Sequence, residues 1–293
     1  MEILPNVSFK FSFDVATVYA VEMALNAHKI KMRMKRESLP FSREFLEEWQ
    51  EELSLPNILW HLRVFMCGKG GLNAKVKRLG EHIILPLLQE SIKVYEDHWK
   101  AILPSLKRNV SPLLRVWKTH GRDILKGICS ASRLKWNIRE IKVFFVEPIA
   151  GGHGDAFIEE GFITFKAVKA PLSKLLHGFT HEIAHLNTTD IIYQEDIRRK
   201  VLAECVNDLV AQQALIEAGI LKSFNQNRLN RIFSRDIREW MTESEQRFLY
   251  DPKELKQVVE NWWYKHLKSG ENLRESIKTL FEEALHKMPL KQL

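Results

Sequence analysis

Three residues in the middle of the chain have the types and the spacing of a metal-binding helix. His181 and His185 are four positions apart, so in a helix they project from the same face, one turn from each other. Two imidazoles in that arrangement can hold one zinc ion, and Glu182 is close enough on the helix to reach a water at the metal. The pattern predicts a catalytic metal site, provided that the chain supplies a third ligand.

The stretch around these histidines is suited to a buried helix. Pro171 and Ser173 are a start signal in front of an apolar run. Residues 179–186 contain no proline or glycine, and Ile183 and Ala184 are uncharged. The helix can therefore lie in the interior, as a site that excludes water requires.

A second helical pattern, at residues 197–218, offers the third ligand. It is rich in helix-forming residues and contains no glycine or proline. Glu204 lies among its apolar positions, and a carboxylate on an apolar face needs a partner. A cation held by two neutral histidines is such a partner. Asp208, one turn further along the same face, can accept the other ring N–H of a ligating histidine.

These five residues resemble the gluzincin group of zinc metallopeptidases, to which the thermolysin-like enzymes and the zinc aminopeptidases belong. The resemblance implies that His181, His185 and Glu204 bind one zinc ion per chain. It also implies that Glu182 is the general base and that Asp208 orients a histidine. The expected activity is hydrolysis of peptide bonds in a peptide or protein substrate.

The resemblance covers about residues 140–218 and also implies the surroundings of the site. In gluzincins an edge strand, here Gly154–Ile158 or Phe162–Phe165, pairs with the extended substrate. A further residue stabilises the oxyanion, and Tyr193 is the candidate closest in sequence to the motif. The third histidine of the metzincins is absent after His185, and the exopeptidase signature of the aminopeptidase branch is missing as well.

The whole chain is predicted to be α+β and mostly α. A helical region at 1–137 precedes a zincin-like core at 138–220, which consists of a small sheet, the motif helix and the glutamate helix. A helical region at 221–293 follows. In the first of these regions we expect one helix at 73–103 and a separate helix at 113–127.

The composition limits the class of protein. The chain has 293 residues, 45% of them hydrophobic, and contains no apolar run long enough for a transmembrane helix. The N-terminus lacks the pattern of a signal peptide, and the three cysteines are scattered and odd in number. These features predict a protein of the reducing cytoplasm without a membrane span. The net charge of +7 favours acidic partners, although a solvated basic surface accounts for it better than a nucleic-acid-binding face.

Three functions remain open on the sequence alone. The chain is a zinc peptidase, a gluzincin-like regulator that binds zinc or a peptide without cutting, or a basic helical nucleic-acid-binding protein with an accidental motif. The presence of Glu182 favours the first over the second, since a regulator has no need of the base. The position of Glu204 and Asp208 argues against the third.

Overall fold

The fold is described here from a computed structural model. It describes residues 3–30, 41, 84–147, 154–157, 161–192, 196–238 and 247–290. As predicted, the fold is α+β and mostly helical, with one small sheet. Among the described residues, no helix is both long and apolar enough to cross a bilayer.

The chain forms two compact units, which we call the helical unit and the sheet unit. The helical unit consists of Met1–Asn6, Val116–Arg139 and Leu176–Leu293. The sheet unit consists of Val7–Arg115 and Glu140–Leu175. The division into three consecutive regions stays a prediction.

The described strands form one mixed sheet with the order β1-β2-β4-β3. They are β1 (Asn6–Lys10), β2 (Glu140–Val146), β3 (Gly154–Phe157) and β4 (Phe162–Lys166). The pair β2 and β4 is parallel and β3 is antiparallel to β4. β2 and β4 are short runs rich in β-branched and aromatic residues, as strands usually are, whereas β3 contains no β-branched residue.

The topology corrects one expectation about the sheet. β4 pairs with β2 on one side and with β3 on the other, so both of its backbone edges are used. Phe162–Phe165 therefore cannot add a substrate strand, and that prediction was wrong. β3 is an edge strand of the sheet that the described residues form.

Seven α-helices are described. They are α1 (Phe13–Ile30), α2 (Ile84–Ser132), α3 (Leu172–Ile192), α4 (Ile197–Glu217), α5 (Gln226–Arg231), α6 (Pro252–Ser269) and α7 (Leu273–Leu285). A π-helical turn, Ile232–Asp236, continues α5. The helices α3 and α4 cover the two helical patterns that were predicted to hold the metal.

The helix α2 is continuous where the sequence predicted a break. It passes through Pro104 and Pro112, each of which removes a backbone hydrogen bond at a cost of about 3 kcal/mol. The buried apolar residues in this stretch are Leu106, Val110 and Leu113. Burial of each such side chain contributes about 1.5–3 kcal/mol, so packing offsets a cost of similar size from the two prolines.

Caps and one close approach position α4. The side chain of Asp196 accepts a hydrogen bond from the backbone N–H of Arg198 and caps the start of the helix, and Gly219 follows its end with φ +70°. In the middle, a Cβ atom added to Gly127 of α2 would lie 2.8 Å from the Cα of Ala214. The absence of a side chain at Gly127 lets the two backbones approach this closely.

Candidate metal centre

Three predicted ligands come together between α3 and α4. The Nε2 atoms of His181 and His185 are 3.0 Å apart. The Glu204 Oε2 atom lies 3.2 Å from the first and 3.4 Å from the second. All three residues belong to the helical unit. The structure thus places two imidazole nitrogens and one carboxylate oxygen at the corners of a nearly equilateral triangle.

The size of this triangle fits a zinc ion. Zinc binds histidine nitrogen and carboxylate oxygen at about 2.0–2.2 Å, so neighbouring ligands of a tetrahedral ion are roughly 3.3 Å apart. The three separations of 3.0, 3.2 and 3.4 Å bracket that value. Two histidines with one carboxylate are also a ligand set of catalytic zinc sites, which keep a fourth position for water. The residues present therefore fit the metal that the sequence implies.

The packing of α3 and α4 explains why these side chains are held in place. On α3, Phe179, Ile183 and Ala184 are fully buried, and on α4 Val201 and Cys205 are fully buried. The side chains of the three predicted ligands lie between these two helices. His181 and His185 are buried, whereas the Glu204 side chain remains 23% exposed. Of the three side chains, that of Glu204 is the most exposed to solvent.

Charge is distributed in the site as a zinc ion requires. Burial lowers the pKa of His181, although the Glu204 carboxylate acts in the opposite direction. The imidazole is therefore neutral at pH 7, which is the form that binds a metal. Burial acts to raise the pKa of Glu204, but the two histidines outweigh it and hold that pKa well below its usual range. Glu204 is ionised and supplies a negative charge.

Asp208 has four polar neighbours, of which Arg228 and Gln212 donate hydrogen bonds to it. Its Oδ1 atom accepts from Arg228 Nε at 2.8 Å and its Oδ2 atom from Gln212 Nε2 at 2.9 Å. His177 Nε2 is 3.3 Å from Oδ1, and His181 Nδ1 is 3.9 Å from the same atom. Burial acts to raise the pKa of Asp208, but His177 and Arg228 outweigh it, so the net shift is downward.

Asp208 was predicted to accept a hydrogen bond from a metal-binding histidine. It lies near His181, but the distance of 3.9 Å is too long for a hydrogen bond. His181 Nδ1 is buried and has no hydrogen-bond partner among the described residues. A histidine that binds a metal through Nε2 carries its hydrogen on Nδ1. The nearest carboxylate oxygen is Asp208 Oδ1, at 3.9 Å, and the ring would have to move by about 1 Å to donate to it.

Glu182 is buried on α3, next in the chain to the ligand His181. His177, one turn before His181, lies against Asp208 and outside the triangle of ligand atoms, as expected from its position on a straight helix. Tyr193 lies outside the described residues, so its proposed contact with an oxyanion stays a prediction.

The structure also shows functional neighbours that the sequence analysis did not identify. Arg228 and Gln212 hold Asp208, and the backbone N–H of Asn225 donates to Gln212 Oε1 at 2.7 Å. Asn207 lies 2.9 Å from Nδ1 of His185. Asn207 and Gln212 carried a signal in the sequence, because each is an uncharged polar residue one helical turn from a predicted site carboxylate, Glu204 or Asp208. Arg228 is remote in sequence and carried none.

No known protein family, curated protein or solved structure matches this chain. The functional assignment therefore depends on the geometry and chemistry of the site and on the motif itself.

Proposed function

We propose that the chain is a zinc-dependent peptidase of the gluzincin type, with a zincin-like core that contains α3 and α4. The observation that carries the proposal is the triangle formed by His181 Nε2, His185 Nε2 and Glu204 Oε2, with sides of 3.0–3.4 Å. Glu182, the candidate base, is buried and follows His181 directly in the chain, which supports hydrolysis over mere binding.

The reaction is hydrolysis of a peptide bond. A zinc ion held by His181, His185 and Glu204 would lower the pKa of a bound water toward about 7 and polarise the scissile carbonyl. Glu182 accepts a proton from the attacking water and later passes it to the nitrogen of the leaving amine. The water oxygen forms a bond to the carbonyl carbon, the C–N bond breaks, and the products are a carboxylate and an amine. No oxidant or reductant is needed.

The supporting residues have separate tasks. His181, His185 and Glu204 hold the metal, and the ionised Glu204 offsets part of its charge. Asp208 presents a carboxylate near the far nitrogen of His181, and Arg228 and Gln212 hold that carboxylate in position. Such outer contacts fix the orientation of metal-binding histidines.

The first test is the metal content of the purified protein, wild type beside Glu204→Ala. We expect about one zinc ion per chain in the wild type and loss of zinc in the variant, because a ligand atom is removed. Glu217→Ala is the matched control, since Glu217 is an exposed glutamate at the end of the same helix. It should retain zinc.

The outcomes separate the competing functions. Wild-type protein without stoichiometric zinc, even after zinc is added back, would contradict the proposal. Protein that binds zinc but cleaves no member of a peptide library would instead be a binding regulator. Binding to nucleic acid that survives chelation and weakens steeply with salt would support the basic helical alternative.

A further inference from the structure

A chain of buried polar groups leads away from the second histidine of the site. His185 Nδ1 is 2.9 Å from the amide nitrogen of Asn207. The amide oxygen of Asn207 is 2.5 Å from the Thr188 hydroxyl oxygen, and that hydroxyl is 3.0 Å from the carbonyl oxygen of Ala184. Asn207 and Thr188 are buried.

The hydrogens of these groups can be placed in more than one way. The Thr188 hydroxyl has one hydrogen and can donate either to Asn207 or to Ala184, not to both. In the orientation described, the Asn207 amide donates to His185 Nδ1, which must then be the unprotonated nitrogen of that ring. The hydrogen of a neutral His185 would be on Nε2, inside the ligand triangle.

Metal binding requires the opposite arrangement at His185. An imidazole that binds through Nε2 carries its hydrogen on Nδ1, so Nδ1 needs an acceptor. A half turn of the Asn207 amide exchanges its oxygen and nitrogen, which occupy nearly the same space. Nδ1–H of His185 then donates to the amide oxygen, the amide nitrogen donates to Thr188, and Thr188 donates to Ala184. Each of these three hydrogens then has one acceptor, and the second hydrogen of the amide nitrogen lies outside this chain of contacts.

We propose that Asn207 is the positioning residue that holds His185 with its hydrogen on Nδ1 and so presents Nε2 to the metal. Thr188 sets the orientation of the amide. This inference depends on the zinc site of the proposed function. It concerns a different contact from that of Asp208, which lies near His181 and not near His185.

The test compares the zinc affinities of Asn207→Asp and Asn207→Leu, measured by competition with a chelator. Asp keeps an acceptor for Nδ1–H and for the Thr188 hydroxyl, so that variant should bind zinc at least as tightly as the wild type. Leu has a similar shape but no acceptor, and its affinity should fall by about 10- to 100-fold. Far-UV circular dichroism and thermal melting of the metal-free proteins check that both variants fold.

A second pair of variants tests the same network without changing Asn207. Thr188→Ser keeps the hydroxyl that orients the amide and Thr188→Val removes it with little change in shape, so zinc should bind more weakly to the valine variant. Nitrogen NMR of zinc-loaded, histidine-labelled protein should show the hydrogen of His185 on Nδ1.

Failure of this inference can be distinguished from failure of the proposed function. Wild-type protein that binds no zinc would overturn both. Zinc binding by the wild type, with equal affinities for Asn207→Leu and Asn207→Asp, would overturn only the role of Asn207. Zinc-loaded wild-type protein in which His185 binds the ion through Nδ1 and carries its hydrogen on Nε2 would likewise overturn only the role of Asn207.

Discussion

At the scale of single residues, three acidic side chains near the site have different neighbours and therefore different tasks. Glu204 faces two imidazoles, whose nitrogens are 3.2 and 3.4 Å away. Asp208 is fully buried and faces Arg228, Gln212 and His177. Glu182 belongs to the motif but not to the ligand triangle. Removal of each carboxylate should therefore impair a different property of the site.

Glu182→Gln tests the role of the base. Glutamine keeps the shape of the side chain but cannot accept a proton at neutral pH. We expect kcat on a peptide selected from a library to fall by about 10²- to 10⁴-fold, the usual contribution of general acid–base catalysis. Zinc content should stay at one ion per chain, because no ligand is removed.

Glu217→Gln provides the matched control for this experiment. The residue is exposed and its carboxylate contacts Gln213, away from the three ligands. Both activity and zinc content should equal those of the wild type. Undiminished turnover by Glu182→Gln would show that another group takes the proton, and loss of its zinc would show that the substitution disturbs the helix.

At the scale of elements, the helix α4 carries Glu204, Asn207 and Asp208, so its position decides the geometry of the site. Its first turn is fixed by Asp196, whose Oδ1 accepts from Arg198 N at 2.9 Å. Its middle is fixed by the close approach to Gly127. Stability of the helix and formation of the metal site should therefore be linked.

Asp196→Ala should lower the free energy of unfolding at pH 7 by about 1 kcal/mol, because an N-cap is lost. Hydrogen bonds from the Arg198 side chain lower the pKa of Asp196 below its usual value. The pKa is lower in the folded protein, so the stabilisation is complete above the unfolded-state pKa of about 3.9. It is lost as the pH falls through the folded-state pKa. Urea unfolding at several pH values should show the difference between variant and wild type shrinking below about pH 4.

Asp251→Ala is the control for this prediction at the level of the helix. Asp251 caps α6, a different helix, by accepting from Lys253 N and Glu254 N, both at 2.8 Å. It should cost a similar amount of stability without weakening zinc binding. If Asp196→Ala leaves both stability and zinc affinity unchanged, the cap does not position the site.

At the scale of the whole molecule, all three ligands belong to the helical unit. The unfolded chain cannot keep atoms from α3 and α4 within 3.4 Å of each other. Zinc should therefore bind the folded state far better than the unfolded state, and the metal should act as a ligand that stabilises the fold.

Zinc at about 100 times its dissociation constant should stabilise the protein by about 2.7 kcal/mol. This corresponds to a rise in melting temperature of roughly 4–5 °C for a chain of 293 residues. Differential scanning calorimetry with zinc, and again after a chelator is added, measures the shift. Glu204→Ala should melt at the same temperature with and without zinc. An equal shift in that variant would mean that the ion binds elsewhere.

Local patterns were sufficient to predict much of the fold. The helix α3 begins next to Pro171, and α4 ends before Gly219 with φ +70°. Caps, glycine and helical periodicity act over a few residues, so they can be recognised without a structure. β2 can be recognised in the same way, because its β-branched and aromatic residues follow one another in the chain.

Long-range packing decided the features that the sequence analysis missed or misjudged. The continuity of α2 through two prolines depends on what its apolar face is buried against. The interior position of β4 depends on two partner strands. Neither the continuity of α2 nor the interior position of β4 can be predicted from a few neighbouring residues, because tertiary contacts outweigh local helix and strand propensity.

The sequence by itself determined the chemistry available at the site: two imidazoles one helical turn apart, a glutamate between them, and carboxylates on the next helix. Only the tertiary structure decided which of these atoms meet. It placed Glu204 3.2 Å from His181 and Asp208 3.9 Å from the same ring. It also brought Asn207 into contact with His185 and Arg228 into contact with Asp208. The physical reason is that backbone geometry sets distances within a helix, whereas the packing of apolar faces sets distances between helices.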